Sequence, residues 1–154
     1  PAMSIELLRY KYSTSSDSVG LIDYIESCNE SQSLFLGIFV KENQGHIGNI
    51  RLHNINNWSR RSDIGIMIGE SSAFGKGYGL EAIQLTVDFA FQSLNLNKVC
   101  AGANVENAAS IRVFEKAGFV VEGTLRQQFF VDGHYTDCVQ MGLLKSEFNN
   151  TSIH

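Results

Sequence analysis

Three glycines alternate within five residues, Gly75-Lys76-Gly77-Tyr78-Gly79, between a short apolar run and a segment whose apolar residues recur at helical spacing. The run, Asp63-Ile64-Gly65-Ile66-Met67-Ile68, stops at Gly69 and has the length and character of a buried strand. The segment aligns Leu80, Ile83, Val87, Ala90, Phe91 and Leu94 along one helix face. The glycines therefore join a strand to a helix. Without Cβ atoms they leave successive backbone N–H groups open at the positive end of the helix dipole, and Lys76 adds a point charge. Such a segment cradles a phosphate or pyrophosphate. A tight turn that uses glycine only for its conformation is the other reading of the same residues. The Gly-Lys-Ser/Thr ending of a P-loop is missing and the spacing is not that of the dinucleotide fingerprint, so nucleotide hydrolysis and hydride transfer are disfavoured.

Around this loop the pattern predicts an α/β or α+β domain. Residues 34–40 are apolar, 41–45 supply a turn, and 46–53 return, which predicts an antiparallel hairpin. A polar loop is expected over 54–62. After the glycine-loop helix, residues 98–105 form a strand, Asn107 caps a second helix with Ile111, Phe114 and Ala117 on its apolar stripe, and Gly118 ends it. Residues 119–121 and 125–131 read as strand, Asp132-Gly133 as a two-residue hairpin turn, and 134–144 as the returning strand. A short helix is expected over 19–28. The sum is a mixed sheet with helices on its faces.

Size and charge narrow the function classes. With 154 residues and 44% hydrophobic content, the chain suits one domain that buries roughly 70% of its unfolded surface. A formal net charge of -4 disfavours a general affinity for nucleic acid or anionic membrane, and no apolar run reaches the ~20 residues that span a bilayer. Cys28, Cys100 and Cys138 are odd in number and lack metal-ligand spacing, which argues against disulfides and zinc and for a cytoplasmic location.

Taken together, Ile64-Gly65-Ile66-Met67-Ile68-Gly69, Phe74-Gly75-Lys76-Gly77-Tyr78-Gly79, Glu81-Ala82, Asn107-Ala108-Ala109-Ser110 and Phe114-Glu115-Lys116-Ala117-Gly118-Phe119 resemble the GCN5-related N-acetyltransferases (GNAT). Glu122-Gly123-Thr124-Leu125-Arg126 and Asp132-Gly133-x-Tyr135-x-Asp137 narrow the resemblance to the branch with ribosomal-protein N-terminal, amino-sugar and polyamine acetyltransferases. It covers about residues 35–148 within a single domain spanning 1–154. It implies a centrally splayed sheet whose parallel strands hold the pantetheine arm of acetyl-CoA, a pyrophosphate on Phe74 to Gly79, an oxyanion donor at the backbone of Met67 or Ile68, and a pantetheine contact from Asn107. The implied reaction is direct acetyl transfer to a primary amine, without a metal. Three departures stand out. Phe74 stands at the start of the pyrophosphate loop, where the family often carries Gln or Arg. Phe114 occupies the place of the family's phenolic proton donor, and the opening strand and helix are missing or shortened, with Ile5-Glu6-Leu7-Leu8-Arg9-Tyr10 resembling the stretch that ordinarily comes after them. The acceptor side is then either open or completed by a second subunit of a homodimer.

An alkylammonium cannot attack until it loses a proton, so a base is needed. Asp63, at the start of the loop-bearing strand, ranks first for that role, with His53 and Glu70 as competitors; a solvated strand-start carboxylate is its structural alternative. Ser110 is the candidate donor to the departing thiolate, against a capping role, and Tyr135 is the substitute. Glu81 is assigned to structure, because a carboxylate beside a bound pyrophosphate repels it. Asp137 either lines the acceptor end or is tied to backbone. Cys100 and Cys138 read as small buried residues. The rival function is a CoA-binding or interaction domain without turnover.

Overall fold

The computed structural model describes residues 3–7 and 32–149. Seven strands form one sheet: β1 (Met3–Leu7), β2 (Leu34–Val40), β3 (Gly45–Asn56), β4 (Arg61–Ile68), β5 (Lys98–Asn104), β6 (Val120–Val131) and β7 (His134–Leu144). Their order across the sheet is β1-β2-β3-β4-β5-β7-β6, and every pairing is antiparallel except β4 with β5. Helices α1 (Tyr78–Gln92) and α2 (Ala108–Lys116) follow the two parallel strands, and α3 (Lys145–Asn149) follows β7.

Alternation decides which face is buried. Register stacks Leu36, Ile50 and Ile66 across β2, β3 and β4, then Ile64, Ala101 and Met141 across β4, β5 and β7. Side chains two residues apart share this face, so Ile38, Leu52, Val99 and Leu143 join it and are fully buried or nearly so. Against it α1 lays Ala82, Ile83, Val87, Ala90 and Phe91, a stripe at i, i+3 and i+4 spacing whose alanines permit close approach. Phe91 in turn meets Phe148 of α3 with ring centroids 5.5 Å apart. Phe114 of α2 and Ala117, its C-cap, belong to the same core. Among the described residues, the helices thus cover one face; the helix expected over 19–28 lies outside them.

The hairpin, the glycine-loop strand and helix, and the second helix stand where the sequence pattern puts them. Three differences are informative. A short outer strand is present before β2: Met3 to Leu7 pairs with it in register Ile5↔Ile38, five residues that the sequence pattern does not mark as strand. The polar loop is shorter than expected, because β3 runs on to Asn56 and β4 begins at Arg61; polar residues at the exposed end of a hairpin conceal the ladder. The segments 119–121 and 125–131 merge into one strand, interrupted by a bulge at which three residues, 126–128, oppose Asp137. Asp132 and Gly133 both have positive φ, 49° and 81°, as a primed hairpin turn requires.

Candidate active site

Parallel strands β4 and β5 deliver α1 and α2 to the same edge of the sheet, so both helix N-termini flank one crevice. At the first of them Gly75 and Gly77 have φ of +73° and +82°, and a Cβ on either would meet nothing within 4 Å. Gly77 is the N-cap of α1 and, having no side chain, leaves the first N–H groups of the helix without a cap. The alternating left-handed backbone and the uncapped turn together have the geometry of an anion nest. Lys76 and Phe74 are exposed beside it, Phe74 at 61%. Gly79 is different: a Cβ there would lie 3.8 Å from Val113 and 3.9 Å from Ile66, so it packs α1 between α2 and β4. The Tyr78 side chain packs against the core.

Pairing of β4 with β5 is limited to Arg61↔Lys98, Ser62↔Val99, Asp63↔Cys100 and Ile64↔Ala101. Beyond that the strands continue apart, as residues 65–68 and 102–104. This is the splay expected of the sheet. The Gly69 N–H donates to the Ile47 carbonyl at 2.9 Å and Gly48 stands opposite Ile68, which makes Asn49 and Met67 the hydrogen-bonded pair of β3 and β4. Main-chain groups alternate sides along a strand, so Met67 points its N–H and C=O to β3, and Ile66 and Ile68 point theirs into the splay. Of the two expected oxyanion donors, Ile68 therefore has the N–H in the cleft, while Met67 offers a side chain, 65% exposed, on the opposite face.

That opposite face carries the candidate bases. Asp63 and His53 are direct cross-strand partners. The Asp63 carboxylate is held on both oxygens: Arg61 donates to Oδ1 at 3.0 Å and the Asn54 amide to Oδ2 at 2.8 Å. Four residues separate Asp63 from Met67 on this face, about 13 Å along the strand. His53 is half-buried, and its Nδ1 is buried with no hydrogen-bond partner. Burial first and the Arg51 charge second lower its pKa, against the opposing pull of Asp63, so the ring is neutral at pH 7. Glu70 is exposed after β4 and caps a single 3-10 turn, Ser71–Ala73, through Oε1. Burial pushes the Cys100 thiol up, as befits an inert buried cysteine beside Asp63.

At the second helix N-terminus the Asn107 Oδ1 accepts the Ser110 N–H at 3.1 Å, so Asn107 is the cap and retains its amide nitrogen as a donor. Ser110 is half-buried in the first turn of α2. Phe114 is deep in the core, edge-on to Phe119 with centroids 5.1 Å apart. Tyr135 is 63% exposed near the β6–β7 turn and edge-on to Phe130. Asp137 accepts the Gln127 N–H at 2.7 Å and thus fastens the β6 bulge. The glycine loop, Ile68, Asn107 and Ser110 lie at the ends of β4 and β5 where the strands part, whereas Asp63 and His53 pair with each other further back on the polar face of the sheet.

Gly48 escaped the sequence reading. A Cβ there would collide with the Met67 carbonyl oxygen and come within 2.9 Å of the Ile68 Cα, so only glycine lets β3 run this close to the strand that presents the Ile68 N–H. No local signal reveals this, because the contact depends on cross-strand register. A hollow of about 680 Å³ lies at the β6 bulge beside Asp137, two strands from the splay.

The family model for an acetyltransferase (GNAT) domain matches residues 5–120. The spermidine N(1)-acetyltransferase of Vibrio cholerae is 36% identical over 106 residues, which cover 69% of this chain and 61% of that protein. That of Escherichia coli K12 is 34% identical over 111 residues, 71% of this chain and 59% of that protein. The chain spans about three fifths of the length of these curated relatives. A putative ribosomal N-acetyltransferase of Bacillus subtilis is 38% identical over 66% of this chain and 55% of its own length. Spermidine N-acetyltransferase from Vibrio cholerae in complex with CoA and spermine shares the fold, with a TM-score of 0.82 at 24% identity over 96% of this chain and 98% of that one.

Proposed function

Given that the chain belongs to the GNAT acetyltransferase family, we propose that it transfers the acetyl group of acetyl-CoA directly to a primary amine, within one acetyltransferase-like domain. The observation that carries this reading is the early end of the β4–β5 ladder, which turns the Ile68 N–H into a cleft rimmed by an anion nest.

In this reading the pyrophosphate of acetyl-CoA rests on the main chain of residues 75–79 with Lys76 as counter-charge and Phe74 beside it. The pantetheine arm takes the place of the missing ladder, bonded as an added strand would be, and the Asn107 amide donates to it. The Ile68 N–H stabilises the oxyanion that forms as the amine nitrogen adds to the thioester carbon, worth about 3 kcal/mol of barrier. Met67 lines the acceptor side. A carboxylate at Asp63, acting through water, or the neutral imidazole of His53 takes the ammonium proton. As the C–N bond forms and the C–S bond breaks, the thiolate receives a proton from Ser110, since Phe114 has none to give.

Polyamines are the acceptors we favour, because two of the curated relatives are named for spermidine. Amino sugars and protein N-termini are the other amines the family suggests. A homodimer is supported by β6, an outer strand on which Val120, Val121, Leu125 and Phe130 are 44% to 64% exposed. The free thiols of Cys100 and Cys138 fit a reducing cytoplasm.

Two measurements test the proposal. Acetyl-CoA should raise the melting temperature of the protein, and a panel of polyamines, amino sugars and peptides should include at least one that releases CoA thiol. Stabilisation without thiol release over the whole panel would leave a CoA-binding domain that does not turn over.

A further inference from the structure

An open hollow of about 250 Å³ lies on the acceptor face, and none of the steps above uses it; His46, Asn49, Met67 and Glu70 are among its walls. It occupies the β3 side of β4, whereas the splay opens on the β5 side. The two are therefore one strand apart, about 5 Å. Gly48 lies on its floor, where the close approach of β3 to β4 excludes any side chain. The Asn49 Oδ1 is bonded to the His46 ring at 2.9 Å, which closes the far wall. Met67 stands between hollow and splay with an exposed, flexible thioether.

Glu70 is the one carboxylate in this lining. Its Oε1 accepts from the Ser72 hydroxyl at 3.1 Å and faces the Ser72 N–H at 3.4 Å, which fixes the group, while Oε2 takes no hydrogen bond among the described residues. Asp63, the other acid on the β3–β4 part of this face, is already held on both oxygens. A cation reaching this part of the face therefore finds its vacant acceptor at Glu70. Volume fits as well: 250 Å³ holds roughly eight groups the size of a water, enough for a short alkyl chain ending in an ammonium but not for a folded peptide.

We propose that this hollow is the subsite for a second cationic centre of the acceptor, with Glu70 as its counter-charge and the exposed Met67 flanking the methylenes between. The acceptor is then an α,ω-diamine or a longer polyamine in which roughly three or four methylenes separate the reacting nitrogen from the next one, matching the ~5 Å width of the intervening strand. The inference rests on the acetyltransferase reading and adds to it the residue that selects the acceptor.

The test compares 1,4-diaminobutane with 1-aminobutane in the wild-type protein and in Glu70→Gln, which keeps Oε1 for the Ser72 cap. Expected is a KM for the diamine about tenfold higher in the variant, with the KM of the monoamine and the stabilisation by acetyl-CoA unchanged. Equal effects on both amines, or none on either, would overturn the subsite while leaving acetyl transfer standing. If wild-type protein releases no CoA thiol with any amine, the acetyltransferase reading fails by itself. Calorimetric binding of the diamine to the CoA-loaded protein then decides the subsite: weaker in Glu70→Gln supports it, equal sinks it.

Discussion

On one face of the sheet Ile38, Ile50, Leu52 and Val99 are sealed beneath α1, whereas on the other Arg51, His53, Asp63 and Cys100 stand in a band of hydrogen bonds and charges. Both faces are written in the same strands, residue by alternate residue. The apolar face holds β4 and β5 against α1, and the splay opens beyond Ile64 and Ala101. The polar face decides what can approach it. Between them the main chain itself, at residues 66–68 and 75–79, supplies the groups that would hold the acyl carrier. In the proposed reaction donor binding is thus a backbone property and acceptor choice a side-chain property.

This division can be broken at either side, and the effects should differ in size and kind. Removing the largest core ring, Phe91→Ala, should cost about 3–5 kcal/mol in a denaturant titration, because the cavity opens between α1, the sheet and α3. Gly77→Val should cost less, about 1–2 kcal/mol, since a β-branched residue must adopt φ +82°. Its larger consequence is functional: acetyl-CoA should no longer raise the melting temperature, and retention of that shift would place the pyrophosphate elsewhere. Asp63→Asn should leave acetyl-CoA binding intact and move the acidic limb of the pH–rate profile upward; an unchanged profile transfers the base role to His53.

The smallest effect concerns stability against pH. Folding lowers the pKa of His53 below the unfolded value of about 6.5, so the unfolded chain binds this proton more readily. The native state keeps its full stability above that value and loses some as pH falls through it. His53→Gln should flatten this part of the melting-temperature profile between about pH 7 and 5. A slope that persists in the variant would assign the loss to other groups.

What could be read from sequence obeys the same split. The glycine nest, the caps at Asn107 and Gly118, and the Asp132-Gly133 turn are local chemistry, written in consecutive residues, and the structure has them in place. The apolar stripe of α1 is equally local. Long-range register is another matter. Strand β1 is five residues whose partner lies some thirty positions away, and nothing in Met3 to Leu7 announces Ile5 against Ile38. The pairing of His53 with Asp63 depends on a shift in register between His53 and Asn56, which no spacing rule contains. Glu70 could be suspected as an acid near the strand end, but its relation to Asn49 and Met67 exists only once β3 is folded onto β4.

The four-rung contact between β4 and β5 also has a mechanical side. Within the sheet those rungs join a four-stranded half, β1 to β4, to a three-stranded half, β5 to β7. A pantetheine chain laid along the gap would lengthen this seam and stiffen it, so the amides of residues 66–68 should exchange with deuterium more slowly once the thioester is bound. Starved of its acyl carrier, the molecule would lose a co-substrate and, with it, part of the stitching that makes two half-sheets one.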